Sequence, residues 1–311
     1  MAMAIKPVQE VRWRRVALFY GIALAWAIVV GVVLYLAGWG FQFAGRTLFA
    51  QLLVGVFYMP APLVGVLVVE RVYHERSLLR QTFSNLSWRV LWVALGFMLG
   101  LLFLMYGLTW VLSGDPGFPG VGDILTDPGM ITMHLEKYTG WDAMTVAPVA
   151  GLWQLVLLAA LGSLLAGFTI NGVFAFGEEF GWRGWLANEL RPLGTMWINV
   201  LTGVMWGIWY IPLILLGYNY APDNAAGIPF MIAFCIAMSF LLFRARKLTS
   251  SILVPAILHG ILNSFVGIFL LTLSDISGDR SRLISAPFGL VGTAAAALLA
   301  AAFWFLPSSE S

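Results

Sequence analysis

Long apolar runs separated by short polar stretches dominate the chain. A helix that crosses a bilayer needs about 20 predominantly apolar residues, because its backbone groups must be satisfied within the segment. Eight stretches are candidates: 16–38, 48–69, 90–113, 148–177, 195–217, 228–243, 250–273 and 286–306. The sixth is short and the fourth is long. The pattern predicts an all-α polytopic membrane protein of about eight transmembrane helices. The first run, Val16 to Gly38, carries no charge and is too long for a signal-peptide core, so it reads as a retained anchor.

The polar stretches supply direction. Lys and Arg collect on the cytoplasmic side of membrane proteins. With the N-terminus in the cytoplasm, 13 of the 17 basic residues fall on that side, and Arg46, Lys137, Arg280 and Arg282 fall on the other. Eight spans with both termini cytoplasmic satisfy the bias in nearly every loop. The basic loop around Arg71, His74 and Arg76 suits anionic lipid headgroups. The longest outside loop, Ser113 to Thr145, carries turn chemistry in Asp115-Pro116-Gly117 and Asp127-Pro128-Gly129. It also holds a short candidate helix, Gly129 to Tyr138, that contains His134. A lone loop histidine is ordinarily solvated, so neither His74 nor His134 is assigned a role. No internal repeat or linker divides the chain. The expected layout is a basic cytoplasmic segment at 1–15, one transmembrane domain at 16–306 and a short tail at 307–311, in a multi-pass protein of the cell membrane.

Composition removes other classes. The chain is 60% hydrophobic and 10% charged, with a net charge of +2, and the few basic residues are too scattered for a nucleic-acid surface. The one cysteine, Cys235, cannot form an internal disulfide and reads as a packing or lipid-facing residue. No Cys/His cluster has zinc-ligand spacing, so neither a metal nor a cofactor is expected.

Against that background two adjacent carboxylates, Glu178 and Glu179, at the end of the fourth run are costly and need a reason. Arg183 lies four residues after Glu179, so a helix puts the two on one face. At about 100° per residue Glu178 points roughly 140° away from Arg183. One carboxylate is neutralised by a fixed cation and the other faces something else, as a general base would. The same three residues also read as a charged cap where a helix meets water.

Two later spans carry polar groups. The fifth contains Trp206-Gly-Ile-Trp209-Tyr210-Ile-Pro212, in which Pro212 predicts a kink or an opened backbone beside Tyr210. The seventh contains His259 and, one turn on, Asn263. Stacked on one face, the pair offers two donors to a shared point, as an oxyanion site requires. Hydrogen-bonded glue between helices is the other reading. The expected meeting place is a water-filled cavity open to the cytoplasmic side, holding Glu178, His259 and Asn263 and lined by Trp182, Trp206 and Trp209.

The Glu178-Glu179-x-x-x-Arg183 and His259-x-x-x-Asn263 motifs resemble those of the CPBP family of intramembrane glutamic endopeptidases, which includes the type II CAAX prenyl proteases and the bacteriocin-processing and immunity (ABI) proteins. The similarity spans about 153–269. It implies that Glu178 activates a water, that Glu179 and Arg183 fix its surroundings, and that His259 and Asn263 hold the oxyanion, in a metal-independent cleavage near the cytoplasmic face. It also implies a peptide or lipid-modified protein as substrate. The family's second motif places a histidine where this chain has Tyr210. A phenol, with an ordinary pKa of about 10, is a poor base near neutral pH. Either Tyr210 orients the water while Glu178 takes the proton, or the chain is an impaired member acting as a scaffold or immunity protein. Oligomeric state is not written in the sequence.

Overall fold

A computed structural model describes residues 9–41, 52–75, 88–118, 121–139, 152–221, 224–273 and 281–304. Helix α1 is Trp13–Leu36, and α2 is Ala61–Val72, entered through a π-helical turn at Val54–Tyr58. Helix α3 is Trp88–Leu112 and the short α4 is Pro128–Thr139. Helices α5, Leu152–Phe168, and α6, Ile170–Glu179, form a bent pair. Then come α7, Gly194–Trp209, the short α8, Ile211–Leu215, and α9, Asn224–Thr249. The chain closes with α10, Leu253–Thr272, a turn of helix α11 at Ser281–Ile284, and α12, Leu290–Trp304.

Six spans are long and apolar enough to cross a membrane, and the bent pair raises the number to seven. The predicted 286–306 span appears as a 15-residue helix, shorter than the others. The predicted 228–243 span is not short: α9 runs for 26 residues, because Arg244, Arg246 and Lys247 end the apolar run without ending the helix. The predicted 148–177 span is not one straight helix. It bends by 45° at Thr169, and its second limb continues beyond Glu178 through a π-helical stretch, Phe180–Leu186, to Glu189. Glu178 therefore stands inside a helical limb rather than at its end.

Close helix approach explains the bend. A Cβ at Gly260 of α10 would lie 2.5 Å from the Gly172 nitrogen and 2.7 Å from the Gly167 carbonyl oxygen, so α10 crosses the broken span almost backbone to backbone. Small residues at membrane helix crossings allow this closeness, and van der Waals contact then replaces the hydrophobic drive that lipid removes. Gly207 does the same for α7, where a Cβ would meet Ile232 Cα at 2.6 Å. The outer faces of α1 and α3 present Val29, Val33, Leu36, Trp92, Phe103 and Trp110. These are lipid-facing positions for a bundle whose polar groups are gathered inside.

The outside loop folds onto the bundle. Its helix α4 coincides with the short helix expected at 129–138. His134, expected to be solvated, is buried instead, and its Nδ1 lies 2.9 Å from the Leu270 carbonyl oxygen. The Leu125 amide, donating to Thr272 at 2.7 Å, holds the loop down over the end of α10.

Candidate active site

Glu178 and Glu179 are both fully buried, and helical geometry sends them to different partners. Glu179 Oε1 accepts a hydrogen bond from Arg183 Nη1 at 2.9 Å and lies 2.9 Å from His259 Nδ1. Arg183 Nη2 donates to Ser239 Oγ at 2.9 Å. Ser239, on α9, is a partner the sequence reasoning missed, since one serine in an apolar helix carries no signal. Glu178 takes no cation. Its Oε2 accepts from Trp206 Nε1 at 2.7 Å, and the Tyr210 hydroxyl stands 3.4 Å from both of its oxygens. A firm O–H···O bond spans about 2.5–3.0 Å, so the phenol is the looser of the two donors.

Trp206 joins both halves of the site. Its indole N–H holds Glu178, its face lies 4.1 Å from the Arg183 guanidinium carbon, and its centroid is 5.3 Å from that of His259 in an edge contact. Cation–π contact of this kind strengthens when water is excluded. The i+4 spacing of Trp206 and Tyr210 on α7 brings both to Glu178.

Helix α7 stops where the sequence places its break. Pro212 has no N–H, and the chain makes a turn at Tyr210 before α8. The Tyr58 hydroxyl donates to the Trp209 carbonyl there. Tyr218, in the turn after α8, stacks on Tyr210 with centroids 6.0 Å apart and planes 8° apart. Burial, and then the nearby Glu178 charge, push the Tyr218 phenol above its ordinary range, which keeps it a neutral hydroxyl. Tyr58 and Tyr218 were not singled out from sequence, because isolated tyrosines in apolar segments read as packing.

A small hollow adjoins this cluster, with room for about one water molecule. Trp206, Tyr210, His259 and Asn263 line it, and so does Cys235, which faces the interior rather than lipid. Glu178 is not part of the lining; Trp206 and Tyr210 stand between it and the hollow. Two expected cavity residues lie elsewhere. Trp209 donates its indole N–H to the Ala23 carbonyl at 3.1 Å, and Trp182 packs edge-on to Phe19 at 5.4 Å, so both rings fasten the site to α1. Among the described residues no three His, Cys, Asp or Glu side chains come together as a metal-ligand set.

The expected opening to the Arg-rich side is also corrected. Toward that side the Arg183 carbonyl is taken by Arg246 Nη1, and Trp185, Trp182 and Phe19 fill the interior. The hollow's remaining lining comes from the opposite end, from Tyr218, Asn219 and Phe288.

An all-helical, multi-pass membrane protein with a buried Glu-Glu-Arg-His cluster is thus defined by its own geometry. Residues 153–265 match the family model described as type II CAAX prenyl endopeptidase Rce1-like, consistent with the CPBP resemblance of the motifs. At that level the matched domain is of the CAAX-type intramembrane protease kind, a hydrolase class. No curated protein matches the chain.

Proposed function

We propose that the protein is an intramembrane endopeptidase in which Glu178 activates a water against a peptide bond. One observation carries this reading: of two adjacent buried carboxylates, Glu179 is spent on Arg183 and His259, whereas Glu178 meets only neutral donors beside the hollow. Glu178 takes a proton from the water as the water oxygen bonds to the carbonyl carbon. The same carboxyl then returns that proton to the departing amine as the C–N bond breaks. The loosely held Tyr210 side of the carboxylate is where the water stands, with the phenol orienting it. Trp206 Nε1 keeps the other oxygen in place.

His259 and Asn263 hold the developing oxyanion. Nδ1 of His259 is engaged by Glu179, so Nε2 is the nitrogen left to donate when the ring is an imidazolium, beside the Asn263 amide. Glu179 and Arg183 act through His259 and Trp206 rather than on the substrate. The substrate class is a membrane-associated peptide or a lipid-modified protein.

The replacement Tyr210 for histidine supports a second reading, a non-catalytic member that binds peptides or partners. Purified protein incubated with a fluorogenic peptide library separates the two. Peptidase function predicts cleavage that Glu178→Gln abolishes. Absence of cleavage by the wild-type chain, followed by its appearance in Tyr210→His, establishes the second reading instead.

A further inference from the structure

The helix directions sort the connecting segments onto two faces. One face holds the start of α1, the end of α2, the start of α3 and the turns around 189–194 and 249–253. Its members are tied together by Arg12 to Glu75 at 2.7 Å, Arg12 Nε to Glu189 at 2.8 Å, Arg89 to the Leu248 carbonyl at 2.9 Å and Arg246 to Asn188 at 3.2 Å. The other face holds the end of α1, the 113–139 loop and the turns around 216–223 and 273–289. There the Phe41 amide donates to the Leu216 carbonyl at 3.0 Å, and the Tyr220 hydroxyl donates to the Phe288 carbonyl at 2.8 Å.

The hollow belongs to the second face. Tyr218 and Asn219 reach it from the turn after α8, with Asn219 at φ 66°, a left-handed conformation that fixes how this turn doubles back. Phe288 reaches it from the turn before α12, and Met231 lies in the early part of α9, near the same end. No residue of the first face's turns lines it. The positive-inside rule makes the first face cytoplasmic, since 13 of the 17 basic residues project to it or just beneath it. The segments of the second face carry Asp115, Asp123, Asp127, Glu136, Asp142, Asp223, Asp275 and Asp279 against four basic residues. The field around the hollow's own end is therefore negative.

We propose that the hollow receives its peptide from the extracytoplasmic face, between the Tyr218–Asn219 turn and the Phe288 turn, and that the favoured occupant is an extended, positively charged peptide segment presented on that face. This deepens the peptidase reading and rests on it. A prenylated tail arriving from the cytoplasm meets the Arg183, Trp182 and Trp185 packing instead of an opening. A cationic segment on the outer face meets acidic loops and then a ring-lined entrance that leads to Tyr210, His259 and Asn263.

The test uses full-length protein in sealed membrane vesicles of both orientations. With Cys235→Ser as background, Asn263→Cys is exposed to a small, membrane-impermeant thiosulfonate. Arg71→Cys and Asp115→Cys mark the two faces. The expected result is modification of Asn263→Cys at least tenfold faster from the side that modifies Asp115→Cys. Faster modification from the Arg71→Cys side overturns the proposal, as does labelling of Arg71→Cys in intact cells. Met231→Cys serves as the reporter if Asn263→Cys does not assemble. Glu178-dependent cleavage of a cationic and an acidic peptide of equal length, in detergent, is measured in parallel. Absence of all cleavage there overturns the peptidase reading while the labelling still decides the side of access. Preference for the acidic peptide overturns the charge preference.

Discussion

The two ends of the bundle are closed by different chemistry. At the Arg-rich end, Arg12 and Arg15 reach Glu75, Arg12 also reaches Glu189, and Arg15 lies over the Tyr73 ring at 4.4 Å. Long side chains bridge helix ends there, and the rings of Phe19, Trp182 and Trp185 fill the space beneath. At the other end the ties are short bonds to backbone carbonyls and stacked rings, such as Tyr210 on Tyr218 and Phe234 against Phe288 at 5.2 Å. Flat rings packed around a turn leave gaps, whereas the charged clasp draws its helices shut. The reactive groups lie between the two ends, attached to the closed one by Arg183 and bordering the looser one through Tyr210 and Asn263.

The largest test of this contrast is at the border itself. Glu178→Gln should lower peptide cleavage by about 10²–10⁴-fold, the usual contribution of a general base, with little change in thermal unfolding. A matching fall in unfolding temperature would make Glu178 a structural member of the closed end. Next, Arg183→Leu removes the cation from a buried pair and leaves Glu179 uncompensated. A loss of about 3–5 kcal/mol is expected, read by denaturant unfolding in detergent. Tyr210→His acts only at the looser end and should raise cleavage about tenfold while stability stays within about 1 kcal/mol, the span of a tolerated polar exchange. The smallest effect is expected at the clasp. Arg12 is part-exposed, so Arg12→Ala should cost about 1 kcal/mol or less and leave cleavage unchanged. A large loss of activity in that variant would mean that the clasp also sets the geometry of the reaction centre.

Much of the site was legible before any coordinates. The Glu179–Arg183 spacing, the break beside Pro212 and the shared face of His259 and Asn263 follow from helix geometry, and all three are present. The apolar runs located the long helices because the bilayer requirement acts on whole segments. The direction in which each helix face packs was not legible. A helix such as α10 or α5 is apolar all round, so its sequence does not distinguish lipid from protein. For that reason Trp182 and Trp209 were placed in the cavity when they face α1, and the bend at Thr169 went unseen until α10 was placed against Gly172 and Gly167. Burial of His134 depends on a long-range contact with Leu270, which no local pattern encodes. The side of access was misjudged for a related reason: residue depth along each span was readable, but not which turns project toward it.

The π-helical stretch Phe180–Leu186 has one further consequence. Wider coils hold a surplus residue relative to an α-helix of equal rise. Excising Gly184 would let the coil tighten and turn everything after it by about 100°, swinging Glu189 off Arg12 while Glu179 and Arg183 keep their spacing. Slack of this sort lets the membrane-surface anchor drift in length or phase over generations without disturbing the acid pair upstream.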